Sequence, residues 1–323
     1  MSGPQLSMAL CTYNGARFLS DQLESIAAQT TLPHELVICD DCSSDNTVDI
    51  IREFAAGASF PVSLSVNDSR LGSTKNFEKA ISLCQFEVIA LCDQDDVWHP
   101  QKLSRMADAF HRDTQIGAVF TDAELIDENS QCLGHTLWSS NLFNMREQKK
   151  FESGDGLEVL LKHTLVTGAT MAFRSGFRRL VLPIPSEQIH DFWITMLIAS
   201  VCHLAPLRHA LIRYRQHSAQ QIGPGKKLTF WQKVPRRVGP DYYLSEAERL
   251  GEICERLHDR RALFPPHPNA LHLIRQKIKH RKARAEFPSS KVLRLPTVIR
   301  EAATLRYWRY SRGVGSVAKD LLG

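Results

Sequence analysis

An α/β fold with a mainly parallel sheet flanked by helices is predicted for this 323-residue chain by two observations. Short apolar runs alternate with amphipathic segments through roughly the first third of the sequence, and the runs end in polar, turn-forming clusters. Strands that alternate with helices imply right-handed crossovers and parallel pairing. The length suffices for one large domain with an appendage, or for two domains.

The elements follow in order. Leu6 to Thr12 is an apolar run ending in Tyr13-Asn14-Gly15, after which Phe18, Leu23 and Ile26 recur at helical spacing. Leu36 to Cys39 is a second strand, then come D-D-C-S-S-D and a helix from Asn46 to Phe54 with Asp45 as its N-cap. Val62 to Val66 is a third strand and Lys75 to Leu83 a third helix. Val88 to Cys92 is a fourth strand, followed by an acidic loop and a helix from about Pro100 to Arg112, with proline at its start. Ile116 to Thr121 continues as strand through Glu124, residues 129 to 153 form a long loop, and Gly156 to His163 is helical. Thr167 to Phe173 is a strand, and Phe192 to Leu207 a core helix and strand, broken by polar residues and short of a membrane span.

Charge divides the chain. Residues 1 to 225 hold 18 Lys+Arg against 26 Asp+Glu, a balance of −8, and residues 226 to 323 hold 22 against 9, a balance of +13. This predicts an acidic functional region, 1 to 225, and a basic, mostly helical extension, 226 to 323, suited to an anionic membrane surface or an acidic partner. No basic and apolar leader is visible at the start, so a cytoplasmic setting is expected, with a peripheral membrane position open to the basic region. The eight cysteines are scattered and read as reduced thiols, and Cys39-x-x-Cys42 has no second pair at zinc spacing.

The stretch D-Q-D-D, Asp93 to Asp96, directly follows a buried strand. Carboxylates this close repel and raise the cost of ionising one another, so a positive partner is expected. The spacing on a loop leaving a strand suits a hard divalent cation, Mg²⁺ or Mn²⁺, although solvated turns and helix N-terminal charges have the same composition. Ligands of open parallel sheets bind beyond the strands' carboxyl ends. T-Y-N-G, D-D-C-S-S-D and D-Q-D-D therefore converge although about 80 residues separate the first from the last.

These clusters, with L-G-S-T-K-N-F (71 to 77), V-T-G-A-T-M-A-F (166 to 173) and H-D-F-W (190 to 193), resemble the family 2 glycosyltransferases of GT-A fold, and especially their rhamnosyltransferase-like branch in bacterial polysaccharide assembly. The resemblance spans residues 5 to about 222. It implies inverting transfer of a sugar from a nucleotide diphosphate donor to an acceptor hydroxyl on a glycan or lipid-linked glycan. Carried onto these positions, Thr12, Asn14 and Lys75 bind the nucleotide, and Asp41 accepts from the imide N–H of uracil or thymine. Asp93 sits near ribose and metal, Asp95 ligates the metal, and Asp191 is the catalytic base. An N-cap for a helix starting at Phe192 is the alternative for Asp191. Tyr214-Arg215-Gln216-His217 departs from the Q-x-x-R-W of processive synthases and looks like the R-x-H of non-processive members, whose His reaches metal or diphosphate.

Two rival classes remain on sequence grounds. A nucleotidyltransferase normally carries a Gly-rich basic loop at its first strand, and T-Y-N-G-A-R-F has one Gly and one Arg. A non-catalytic membrane or nucleic-acid binding protein is suggested by K-I-K-H-R-K-A-R (277 to 284), with Trp308 and Tyr310 favouring the membrane over nucleic acid.

Overall fold

The computed structural model describes residues 3–217 and 238–322. The strands are β1 (Leu6–Thr12), β2 (Glu35–Asp40), β3 (Val62–Val66), β4 (Val88–Cys92), β5 (Val97–Trp98), β6 (Ile116–Ile126), β7 (Cys132–Thr136), β8 (Met171–Arg174) and β9 (His203–Arg215). The helices of the sheet region are α1 (Leu19–Ala27), α2 (Thr47–Gly57), α3 (Ser73–Leu83), α4 (Lys102–Arg112), α5 (Leu137–Ser140), α6 (Met145–Glu152), α7 (Gly156–Leu160), α8 (Arg178–Val181) and α9 (His190–Val201). Five more follow: α10 (Pro240–Asp259), α11 (Ala270–Ala285), α12 (Lys291–Ala303), α13 (Arg306–Tyr310) and α14 (Val314–Leu322).

The sheet runs β3-β2-β1-β4-β8-β6-β9-β5, with β7 on β6. The first four strands pair in parallel, as the alternation predicts. β8 then enters antiparallel between β4 and β6, so the sheet is mixed beyond β4. β1, β2 and β4 are buried at every position because helices cover both faces. Their side chains alternate between two cores. Ala9, Val37, Ile89 and Leu91 join one cluster, and Met8, Leu10, Leu36, Ile38 and Ala90 the other.

Residues 129 to 153, expected as a long loop, are instead a hairpin strand and two short helices. Their polar composition hides three anchors. Trp138, Phe143 and Phe151 pack on Phe120 and on one another at centroid distances of 4.9 to 6.0 Å. The strand expected from Thr167 is a 3₁₀ turn over Gly168–Thr170 before β8.

The expected boundary at 225 lies outside the described residues. On its far side, Leu250, Ile253, Leu257, Ala270 and Ile274 of α10 and α11 join the same apolar cluster as Trp193, Ile194 and Leu197 of α9. Each of the Leu and Ile side chains contributes about 1.5–3 kcal/mol on burial. The basic helices are therefore packed onto the sheet region through a common core.

Candidate active site

The loops after β1, β2 and β4 are tied together. Gln94 accepts from the Tyr13 N–H at 2.8 Å and donates to the Tyr13 carbonyl at 3.1 Å. Asn14, at φ 46°, accepts from the Ser44 N–H and its own N–H donates to Ser43 Oγ, both at 2.8 Å. A Cβ on Gly15 would meet Gln94 Oε1 at 2.1 Å, so glycine is what allows this approach. The three clusters do converge, at the carboxyl ends of parallel neighbours.

Thr12 and Asn14 both line a large cavity at this edge. Thr12 is otherwise occupied as a donor, its hydroxyl bonding Asp40 at 2.7 Å. Asp41 also lines the cavity and holds the following loop, accepting from the Leu71 N–H at 2.6 Å, the Gly72 N–H at 2.8 Å and Asn67 Nδ2 at 3.0 Å. A carboxylate has about four acceptor positions, so one is left for a ligand. Asp45 bonds the Thr47 N–H at 3.1 Å, and the helix starts one residue later than expected.

The acidic loop divides its labour. Asp93 and Asp95 line the cavity, whereas Asp96 is fully buried and accepts from the Arg215 N–H at 3.0 Å. Asp93 is pushed up to about 7 by burial first, then by the charges of Asp95 and Asp191. Asp95 Oδ2 lies 2.7 Å from His217 Nε2. Among the described residues no group of three or more His, Cys, Asp or Glu is gathered tightly enough to hold a metal ion. The donor set nonetheless fits a divalent cation in kind: two cavity-facing carboxylates, and an imidazole already paired with one of them.

Two cations answer the crowding: Lys102, unforeseen from sequence, and Arg215, the arginine of the R-x-H stretch. Lys102 is fully buried, donates to the Ala169 carbonyl at 2.5 Å and lies 3.3 Å from the centroid of Trp98. Burial pushes it down to about 7, against the pull of Cys92, Asp96 and Asp93. Arg215 donates to the Asp95 carbonyl at 2.8 Å and pairs with Asp21 at 3.0 Å. The sequence signal for Lys102 was a lone basic residue beside an apolar segment, and that for Arg215 was its place in the R-x-H stretch.

Asp191 lies in the first turn of α9, which starts at His190, so it is not the N-cap. Its Oδ2 accepts from the Gly168 N–H at 3.1 Å and its Oδ1 from the Phe192 N–H at 2.6 Å, and it lines the cavity. Neighbouring His190 is buried, stacks on Phe77 at 4.0 Å, and is pushed down by burial against the pull of Asp191. A Cβ on Gly168 would stand 2.8 Å from His190 Nε2.

Lys75 departs from expectation. Asn76 and Phe77 take the inward face of α3, and Lys75 turns to Glu78 at 2.8 Å and the Ile184 carbonyl at 2.7 Å. It does not line the cavity, where Ser73, Thr74 and Asn76 stand instead. The opposite wall comes from α10, α11 and the segment from Ser311 into α14, so the basic extension faces the same space as the acidic loops.

The family model described as Glycosyl transferase family 2 matches residues 7–180. A glycosyltransferase of Nostoc sp. is 33% identical over 246 residues, covering 73% of this chain and 72% of its own. The dTDP-rhamnosyl transferase RfbG of Shigella flexneri is 32% identical over 258 residues, 75% of this chain and 83% of its own. Among solved structures, S. aureus TarS 1-349 in complex with UDP-GlcNAc has a TM-score of 0.57 at 15% identity, covering 98% of this chain and 89% of that one. Mannosyltransferase PcManGT from Pyrobaculum calidifontis, in complex with GDP-Man and Mn²⁺, has 0.56 at 14%, covering 99% and 86%.

Proposed function

The chain belongs to glycosyl transferase family 2, with the GT-A fold, and is a glycosyltransferase; on that premise we propose that it transfers a sugar from a UDP- or dTDP-linked donor to an acceptor hydroxyl with inversion. The observation that carries this reading is the convergence of Asp41, Asp93, Asp95 and Asp191 on one cavity. Asp41, with one acceptor position left, receives the imide N–H of uracil or thymine, a contact that cytosine does not offer. Rhamnose on dTDP is the first donor to test, because the Shigella relative is named for that substrate.

Asp93, Asp95 and His217 are the residues that would hold Mn²⁺ or Mg²⁺. Such an ion supplies charge neutralisation at the departing diphosphate. Asp191 acts as general base. It is fixed by the Gly168 N–H and takes the acceptor's proton while the acceptor oxygen bonds the anomeric carbon and the carbon–diphosphate bond breaks. One displacement of this kind inverts the centre.

The basic helices carry a second contact. No described helix is long and apolar enough to cross a membrane. On and after α12, however, Val292 (81% exposed), Leu293, Ile299, Trp308 and Val314 are exposed, among the exposed cations Lys291, Arg300 and Arg309. Apolar side chains ringed by cations match an anionic membrane surface, which we take as the partner of this face.

A panel of nucleotide sugars, scored for cation-dependent donor hydrolysis and for protection against melting, tests the reading. Protection by UDP- or dTDP-sugars over GDP- and CMP-sugars is expected. Indifference to every nucleotide sugar would overturn it.

A further inference from the structure

The cavity encloses about 2160 Å³, whereas pockets for small ligands span roughly 300–1,000 Å³. A donor alone leaves much of it unfilled. The unfilled side is strongly basic. Lys277, Arg281 and Arg284 project from one face of α11 and are 3%, 8% and 3% exposed, and Arg249, Arg312 and Lys319 line the same wall. Among the described residues two carboxylates pair with these six cations. Glu246 Oε1 is shared between Lys277 at 3.1 Å and Arg281 at 2.8 Å, and Asp320 is held by Arg284 at 2.6 and 2.8 Å.

Among the described residues the wall also holds buried polar atoms without a hydrogen-bond partner: the donors Arg281 Nε and Arg249 Nε and the acceptor Glu246 Oε2. Leaving such a donor unmet is destabilising, and a guanidinium fork matches phosphate oxygens two at a time. Lys277 is pushed down to about 7 by burial first and then by Arg281, against the pull of Glu246.

We propose that this wall is a second anion site, in which Arg281, Arg249 and Arg312 bind a phosphate or diphosphate group carried by the acceptor. The donor's own diphosphate would occupy the end of the cavity at Asp93 and Asp95, so a second anionic group settles on the basic wall, and the acceptor's neutral hydroxyl end is left for Asp191. The inference rests on the glycosyl-transfer reading only in naming the acceptor as the carrier.

Inorganic pyrophosphate is the probe, titrated calorimetrically into the full chain with UDP already saturating. Pyrophosphate should still bind, and Arg281→Gln should weaken it at least about tenfold, the loss of a charge-assisted hydrogen bond, while UDP affinity stays within about twofold. Should Arg281→Gln fail to fold, Arg312→Gln with Lys319→Gln, at the accessible end of the wall, carries the same expectation. Competition between pyrophosphate and UDP would assign the wall to the donor's own diphosphate and overturn the proposal, as would unchanged pyrophosphate affinity in the variants. A short isoprenyl diphosphate binding at least about tenfold tighter than pyrophosphate points to a lipid headgroup, and equal binding to a phosphate on a soluble glycan; both support the site. Arg281-dependent pyrophosphate binding in a chain that ignores UDP would sink the donor reading and leave the anion site standing.

Discussion

Asp95 Oδ2 and His217 Nε2 meet at 2.7 Å although 122 positions separate them in the chain. The pair brings the end of β9 onto the acidic loop after β4, where Arg215 also grips the Asp95 carbonyl. If it is one half of a cation site, chelation should weaken UDP binding at least about tenfold, the scale of one charge-assisted contact. In Asp95→Ala the difference between chelated and cation-loaded protein should nearly vanish, and in His217→Ala it should shrink. Calorimetry with and without chelator reads this directly, and equal affinity in both conditions for the unaltered chain ends the cation role.

Asp191→Asn separates catalysis from structure. The amide keeps one oxygen for the Gly168 N–H and gives up the acceptor that meets the Phe192 N–H, so donor affinity should hold and the melting temperature should fall only slightly. Transfer should fall by roughly 10²- to 10⁴-fold, the contribution of positioned proton transfer. Near-normal turnover would remove Asp191 from the mechanism.

His280 gives the stability a sign with pH. It is buried between Glu301 at 2.7 Å and Ser311 at 3.0 Å, and burial, with Arg284, Arg281, Lys277 and Arg306, pushes it down to about 2. Below the ordinary imidazole range the unfolded chain binds a proton that the native ring refuses. Stability from this group is therefore complete above pH ~6.5 and is lost as pH falls, by up to about 1.4 kcal/mol per unit. Glu301, pushed up by burial, works in the opposite direction but is present in both proteins when His280→Gln is compared with the parent. Melting curves from pH 7.5 to 4.5 should show a shallower acid decline in the variant, and parallel curves would rule the histidine out as a source.

Val292→Glu with Ile299→Glu tests the membrane face. Both side chains are exposed, at 81% and 58%, so folding should change little. Binding to vesicles containing anionic lipid should drop at least about tenfold, because each substitution removes apolar insertion and adds repulsion. Binding to neutral vesicles should be weak in both proteins. Equal anionic-vesicle binding in parent and variant would mean that another surface, or none, meets the membrane.

The sequence by itself determined the first half of the sheet and the edge at which the site forms. Leu6–Thr12, Glu35–Asp40 and Val88–Cys92 are buried throughout because both faces are covered, and the apolar runs at their centres record this without knowledge of partners. Parallel pairing then brings Tyr13 and Gln94 together without any side-chain detail. Tertiary structure decided the rest. Lys75 and Asn76 are adjacent in a motif, yet a 100° step around α3 sends one to Glu78 and the other to the core. The polar stretch 129 to 153 folds because Trp138, Phe143 and Phe151 find Phe120, a residue outside it. Lys102 and Arg281 carry no local mark of burial, since basic residues are usually exposed, until distant segments close over them. Periodicity records which side a residue turns inward, but the partner it meets there depends on the packing of segments far apart in the chain, and local composition does not encode that.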